Sequence, residues 1–220
     1  MSCDMDYVII STGSKGNAVI LNNEVMIDCG VPYKALKPYV KNLKLVLLTH
    51  IHGDHFNAST IRRLADERPT LRFGCGVWLL SSTVACGVPK WRIDLYTPNL
   101  KNRYTDGLSL AMIPLTHNVP NCGYKIEIDG EKLFYATDTN SLDNVTAKDY
   151  DYYFIEANYE DNEIQERIRE KEENGDYAYE RQVLNNHLSK QKADEFIVRN
   201  AGINSQFIHL HGHEGSNFNE

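Results

Sequence analysis

The sequence has few histidines and lacks a regular cysteine pattern. Its five cysteines are irregularly spaced, without a CxxC pair, which is typical of reduced thiols rather than of a disulfide framework. No apolar run reaches the length of a membrane span, and the first residues, MSCDMDYVII, lack a basic segment followed by a long apolar one. We therefore expect a cytoplasmic protein with no membrane association.

Positive charge is also scarce. The chain has 23 Lys and Arg against 30 Asp and Glu, a net charge of -7. A surface with this balance repels polyanions, and the sequence has no stripe of basic residues interleaved with aromatic ones that would track a nucleic-acid backbone. Long DNA or RNA is therefore a less favoured partner than a small substrate, although a local basic groove stays open.

Strand and helix patterns alternate along the chain without a repeat. The segment LKLVLLT, residues 43–49, is typical of a strand buried on both faces. One helix is expected to open at Ser59 and close at Pro69, and another to be N-capped by Ser189 and stopped by Gly202. The length suits one α/β domain over residues 1–220. Further strands are expected at 7–11, 17–21, 25–28, 108–115, 123–128, 132–136, 152–156 and 206–211, with a short helix in 32–42 and a hairpin turn at 129–130.

A highly charged segment covers residues 160–182, EDNEIQERIREKEENGDYAYERQ. Such a segment is typical of a solvated helix, with a turn at ENGD. A functional lid or a dimerisation element is the alternative.

Histidine is concentrated in one place. The stretch LLTHIHGDHFN, residues 47–57, puts three histidines and one aspartate into six positions, directly after the buried strand. His50 and His52 are two apart, so their side chains leave on the same side, and Asp54 and His55 follow in the turn. Imidazole and carboxylate are ligands that suit zinc, and two such ions can clamp the attacking and leaving oxygens of a hydrolysis. A packed core has no use for three adjacent imidazoles.

Two metal sites need more than four ligands. His117, Asp138 and His211 are the remaining candidates, because each follows a predicted strand. Taken singly, a histidine is more often a hydrogen-bonded core or surface residue. His209 and His213, which flank His211, are interpreted in that way.

The stretch THIHGDH resembles the HxHxDH signature of the metallo-β-lactamase superfamily, and the later single residues follow in that family's order. The resemblance covers essentially the whole chain and implies an αββα sandwich, with two mixed sheets flanked by helices. It implies two Zn²⁺ ions, with Mn²⁺ as an alternative, and Asp28 as a support of the metal loop. The ligands it implies are His50, His52 and His117 for one ion, Asp54, His55 and His211 for the other, and Asp138 between them.

Two later segments resemble one branch of that superfamily. FIEANYE and NNHLSKQKA are similar to the glutamate motif and the histidine-serine motif of the ribonuclease Z and YycJ-like phosphodiesterases. The resemblance implies that His187 protonates the leaving oxygen and that Glu156 orients it, which with Asp54 gives the expected catalytic set. Ser189 and the start of its helix are expected to bind a phosphate oxygen.

The compact length and acidic charge favour a small phosphodiester. Among members of this branch the chain resembles the phage anti-Pycsar phosphodiesterases, homodimers that open cyclic CMP and cyclic UMP, and a phage enzyme of that kind would act in the host cytoplasm. The alternatives are a YycJ-like DNA exonuclease or other nuclease, a thioesterase, and a non-catalytic metal-binding protein. The last two are disfavoured because neither needs the pair of His187 and Glu156.

Overall fold

The computed structural model describes residues 4–104 and 107–212, so Cys3 and His213 lie outside the described residues. The chain separates into two compact units, residues 1–112 and 113–220. Across the described ranges, no helix combines the length and the apolar character that a bilayer crossing needs.

The first sheet lies in the first unit and has the strand order β1-β2-β3-β4-β5-β6. Pairing is antiparallel from β1 to β3 and parallel from β3 to β6. The sheet is therefore mixed, as expected. Its strands are β1 (Tyr7–Ser11), β2 (Ala18–Leu21), β3 (Val25–Ile27), β4 (Leu45–Leu48), β5 (Arg72–Cys75) and β6 (Ile93–Leu95).

The buried strand predicted from LKLVLLT is β4. All four of its residues are buried, and β4 pairs in parallel with β3 and β5, as is typical of a central strand in a sheet that is covered on both faces. The core around it includes Met26, Val46, Leu64 and Phe73. Strands β5 and β6 were not predicted, since arginine, glycine and aspartate interrupt their short apolar runs. The helix α3 (Leu80–Ala85) was not predicted because two serines and a threonine interrupt its apolar residues.

Helix boundaries in the first unit differ from the prediction at two places. Helix α1 (Tyr33–Leu36) is one turn rather than the span 32–42, because Pro38 has no backbone N–H with which to continue the helical hydrogen bonds. Helix α2 (Ala58–Glu67) begins after Asn57, not at Ser59. The side chain of Asn57 accepts a hydrogen bond from the backbone N–H of Thr60 at 3.1 Å, so the asparagine supplies the cap.

The second sheet has the order β12-β11-β10-β9-β8-β7 and is also mixed. Strands β10, β11 and β12 pair in parallel, and β9 pairs antiparallel with β10. The turn between β9 and β10 is the predicted one, with positive φ at Asp129 and Gly130. The strands are β7 (Lys101–Arg103), β8 (Leu108–Leu115), β9 (Asn121–Ile128), β10 (Glu131–Ala136), β11 (Tyr152–Glu156) and β12 (Gln206–Leu210).

The charged segment forms two helices, α4 (Asp161–Glu173) and α5 (Glu180–Asn186), with the turn where ENGD predicted it. Ile164, Ile168 and Ala178 form a small buried cluster there, separate from the core around Phe134 and Phe196. Helix α6 (Lys190–Asn200) follows, with Ser189 as its N-cap, as predicted.

Candidate functional site

The histidine loop, residues 49–55, follows β4 in the first unit. His50 follows the buried strand directly and is fully buried. His52 lies in the turn and is partly exposed, and His55, at the end of the turn, is fully buried. Nε2 of His50 lies 3.2 Å from Nδ1 of His52. Zinc–nitrogen bonds of about 2.0–2.1 Å at a tetrahedral angle put two nitrogens roughly 3.4 Å apart, so this pair fits one divalent ion.

Thr49 and Asp28 orient the first histidine of the loop. The hydroxyl of Thr49 donates to Oδ1 of Asp28 at 2.8 Å, and Nδ1 of His50 lies 2.9 Å from the same hydroxyl. A hydroxyl has one proton to give, so it accepts the Nδ1–H of His50, and the lone pair of that ring is on Nε2. A hydrogen bond at Nδ1 of this kind prepares a histidine to bind a metal through Nε2.

Asp28 also holds the last histidine of the loop. Its Oδ2 is 2.7 Å from Nδ1 of His55, and its Oδ1 accepts the backbone N–H of Thr49 at 3.0 Å. Both side chains are fully buried. Asp28 thus ties the two ends of the histidine loop together, in the supporting role that the resemblance implies. Asp54 is more open and its Oδ2 lies 3.7 Å from Nε2 of His55.

Asn17 contacts the histidine loop and was not among the predicted site residues. Its Nδ2 lies 2.8 Å from Nε2 of His55 and 3.1 Å from the carbonyl oxygen of Asp54. The available signal was the loop GSKGN, whose glycines allow a close backbone approach, but asparagine after a glycine-rich turn is common without a functional role.

A second cluster lies in the second unit, at the ends of the parallel strands. Asp138 follows β10, Glu156 ends β11, His211 follows β12, and His187 follows α5. Each offers one oxygen or nitrogen ligand atom, and these four atoms all lie within 4.8 Å of one another. The mixed oxygen and nitrogen donor set, largely buried, suits zinc or manganese.

His187 sits between two carboxylates in this cluster. Its Nδ1 lies 2.5 Å from Oε1 of Glu156 and 3.3 Å from Oδ1 of Asp138. Glu156 is fully buried, and its other oxygen accepts the backbone N–H of Thr139 at 3.0 Å. The carboxylate is thereby fixed on both oxygens, and its charge orients the His187 ring.

The end of α5 also orients His117. Its Nδ1 lies 3.0 Å from the carbonyl oxygen of Asn186, and Nδ2 of Asn140 donates to the carbonyl of Asn185 at 2.8 Å. These are carbonyls of the last helical turn, which have no partner inside the helix. With its Nδ1–H given to Asn186, the His117 ring presents Nε2 as its lone-pair nitrogen.

Two residues of the second cluster have left-handed backbone, with φ of 53° at Asp138 and 55° at His211. Nδ1 of His211 lies 3.5 Å from Oδ1 of Asp138. Non-glycine residues adopt this conformation at a cost, and such residues concentrate at functional sites.

The remaining candidates lie around these clusters. Ser189 is fully buried, with its hydroxyl accepting the backbone N–H of Lys192 at 3.3 Å, so its predicted contact with a substrate stays a prediction. His209 pairs with Asp194 at 2.9 Å. Burial raises the pKa of Tyr159 to about 12, with Asp161 and Glu156 adding to it, so this phenol is a neutral donor 3.5 Å from the carbonyl of His187.

Known proteins resemble this chain in sequence and in structure. Residues 23–190 match the family model described as the beta-lactamase superfamily domain. A UPF0173 metal-dependent hydrolase of Thermococcus onnurineus is 26% identical over 133 residues, which are 55% of this chain and 56% of that protein. The chain thus spans a little over half the length of the curated relatives that it matches.

Solved structures share the fold. The metallo-beta-lactamase fold protein YhfI of Bacillus subtilis superposes with a TM-score of 0.74 at 16% identity, over 96% of this chain and 88% of that chain. The short form of human tRNase Z gives a TM-score of 0.68 at 16% identity, over 94% and 92% of the two chains. These matches confirm the fold that the HxHxDH resemblance predicts.

Proposed function

The chain belongs to the beta-lactamase superfamily, and from that premise we propose that it is a metal-dependent hydrolase of phosphodiesters. The observation that carries the proposal is the pair of His187 and Glu156, at 2.5 Å, in one cluster with Asp138 and His211. Purely structural metal sites have no need of an oriented histidine outside the predicted ligand set. A phosphodiesterase needs one, because an alkoxide leaving group must receive a proton.

The donor atoms fit the two divalent ions that the resemblance implies, on the nitrogen spacing at His50 and His52 and on the donor set around Asp138. When bound, such ions supply Lewis-acid stabilisation of the charge on a phosphoryl group. Zn²⁺ is the expected metal, with Mn²⁺ as an alternative, because imidazole dominates the set. The proposed ligands are the seven predicted ones, His50, His52, Asp54, His55, His117, Asp138 and His211.

The chain's own residues divide the remaining work. Glu156 accepts the Nδ1–H of His187, which stabilises the charged ring and turns Nε2 toward the leaving group. His187 then donates the proton from Nε2 to the departing oxygen. The backbone N–H of Thr139 keeps Glu156 in place, so the pair needs no rearrangement during the reaction.

The proposed substrate is a cyclic mononucleotide, opened to the linear monophosphate. Net charge supports this choice, since the chain carries -7 overall. Helix α4, in the segment that leads to His187, has six carboxylates and three basic side chains. Long polyanions would lack basic side chains to bind their phosphates there. A substrate with one phosphate depends much less on such contacts for its affinity. Assembly as a homodimer and a cytoplasmic location stay predictions.

The test is a substrate panel with protein loaded with zinc or manganese. Cyclic mononucleotides, single- and double-stranded DNA, RNA, a thioester and bis-p-nitrophenyl phosphate are incubated separately, and products are separated by chromatography. We expect linear monophosphates from cyclic nucleotides and slow or no trimming of DNA and RNA. DNA trimming with cyclic nucleotides untouched would establish the exonuclease alternative, and hydrolysis of the thioester alone would overturn the phosphodiesterase proposal.

A further inference from the structure

The ring of His55 is held at both of its nitrogens. Nδ1 lies 2.7 Å from Oδ2 of Asp28, and Nε2 lies 2.8 Å from Nδ2 of Asn17. His55 and Asp28 are fully buried and Asn17 is only 2% exposed, so water does not compete for these contacts.

The partners determine where the proton sits on this ring. A carboxylate only accepts, so Nδ1 carries the proton, and an amide nitrogen only donates, so Nε2 carries the lone pair. Nε2 is thereby kept in the form that binds a metal.

The direction of the Asn17 amide is itself determined. Its Oδ1 accepts the backbone N–H of Gly13 at 2.9 Å, and its Nδ2 lies 3.0 Å from the carbonyl oxygen of Gly13 and 3.1 Å from that of Asp54, so its two N–H groups are shared among these oxygens and Nε2 of His55. Reversing the amide would set its oxygen against two carbonyl oxygens, so the nitrogen must face His55. The assignment of the donor thus rests on three contacts.

The backbone leaves this arrangement little freedom. The N–H of Asn17 donates to the carbonyl of Asp54 at 2.7 Å, and the N–H of Gly30 donates to the carbonyl of Asn17 at 2.9 Å. A Cβ on Gly30 would lie 1.7 Å from the carbonyl oxygen of Asp54, so the backbone at Gly30 is in direct contact with the backbone of the histidine loop. Asn17 therefore joins the glycine-rich loop to the part of the histidine loop that carries Asp54 and His55.

We propose that Asn17 is a positioning residue for metal binding, which fixes the loop that carries Asp54 and His55 and keeps Nε2 of His55 correctly directed until a divalent ion takes its lone pair. The inference rests on the proposed metal-dependent function and adds a residue that lies outside the predicted ligand set. Through Nδ2, Asn17 also bonds to the carbonyl of Asp54 and so supports the loop that carries two proposed ligands. Losing a partner that orients metal ligands typically weakens metal binding by about 10- to 100-fold. We expect that loss in Asn17→Ala, at one of the two ions only.

The experiment is a titration of the metal-free chain with Co²⁺, followed by visible absorbance, together with metal content after dialysis. Asn200→Ala is the matched control. Asn200 is equally buried, its Oδ1 accepts the N–H of Ala147 at 2.9 Å, and its Nδ2 donates to the carbonyl of Phe196 at 2.9 Å, but it contacts no predicted ligand. It therefore reports the general cost of losing a buried amide.

The expected result is two binding steps for the wild type and for Asn200→Ala, and one weakened step with an altered cobalt spectrum for Asn17→Ala. Titrations of Asn17→Ala that match the wild type, or a step that becomes tighter, would overturn the positioning role while leaving the hydrolase proposal intact. A wild type that takes up no metal would overturn both. If Asn17→Ala does not fold, Asn17→Ser replaces it, and failure of both variants while Asn200→Ala folds would make Asn17 a residue of the fold alone.

Discussion

Nδ1 of His187 lies 2.5 Å from Oε1 of Glu156, and the second oxygen of Glu156 is held by the backbone N–H of Thr139. The two residues come from positions 31 apart, at the end of β11 and just after α5. Because Glu156 occupies Nδ1 of His187, Nε2 is the nitrogen that remains available to a substrate.

His187→Ala should slow the opening of a cyclic nucleotide by about 10²- to 10⁴-fold, because one general acid is lost. Hydrolysis of bis-p-nitrophenyl phosphate should fall much less, since p-nitrophenolate leaves without a proton. Steady-state rates on both substrates and metal content after dialysis are the measurements. Equal losses on both substrates would indicate that His187 binds the phosphate, and loss of metal would make it a ligand.

The joint substitution of His50 and His52 by alanine should lower metal content by about one ion per chain and abolish nearly all turnover, because two of the seven proposed ligands disappear. His209→Ala is the control, since His209 pairs with Asp194 and is not a proposed ligand. Elemental analysis and rates before and after EDTA give the answer. Full activity in the double variant, or wild-type activity that resists EDTA, would contradict the ligand assignment.

The buried cysteines should be unreactive in the native protein. Burial raises the pKa of Cys75 to about 12, with a smaller opposing effect of Thr83, and burial and the charge of Asp28 raise the pKa of Cys29 further. Near pH 8 only roughly one thiol in ten thousand with a pKa of 12 is a thiolate. A Cys3→Ser variant should react with a disulfide reagent only after unfolding, when four thiols appear. Rapid labelling of folded protein would refute this expectation.

Acid should weaken the attachment of α5 to α4. Burial raises the pKa of Glu180, but the 2.7 Å bond from Lys171, a backbone hydrogen bond and the charges of Lys171 and Arg167 together outweigh it, so the pKa lies below the ordinary value. A lowered pKa in the folded state stabilises the fold above the unfolded pKa, and this contribution disappears as the pH falls through the folded one. The stability loss in Glu180→Gln should therefore be clear at neutral pH and shrink near about pH 3.5.

Denaturant unfolding of the wild type and Glu180→Gln at both pH values measures that difference. Glu166→Gln is the matched control, because Glu166 is exposed and lies 3.5 Å from Arg169. A Glu180→Gln penalty that is the same at both pH values would show that packing, and not the ion pair, is lost.

Much of the fold was predictable because each signal was local. Two-sided burial in LKLVLLT predicted β4, and Asp129-Gly130 predicted the β9–β10 turn. Strands β5 and β6 were not predicted because pairing with their neighbours in the sheet, and not a pattern in their own residues, makes them strands. The N-cap at Asn57 was missed for a similar reason, since Asn57 and Ser59 both suit a cap and the backbone decides between them.

The candidate site likewise combines residues that a local sequence pattern indicates with residues that no local pattern indicates. The histidine loop could be predicted because its residues are adjacent in sequence, and His187 and Glu156 could be predicted only through a resemblance to known motifs. Nothing in the spacing of Thr49, Thr139 or Asn17 indicates that they hold Asp28, Glu156 and His55. Those contacts exist because distant loops meet, and one sequence does not encode such meetings in any local pattern.

The left-handed backbone at Asp28, Asp138 and His211 sets two demands on the same positions. The proposed chemistry requires a carboxylate or an imidazole at these positions, whereas the left-handed conformation favours glycine. A residue with a Cβ adopts this conformation at a cost of about 1–2 kcal/mol relative to glycine. A lineage released from selection for activity would gain stability by exchanging these residues for glycine or asparagine. Relatives that carry such exchanges can therefore be recognised as folded descendants that have abandoned catalysis, before any assay is run.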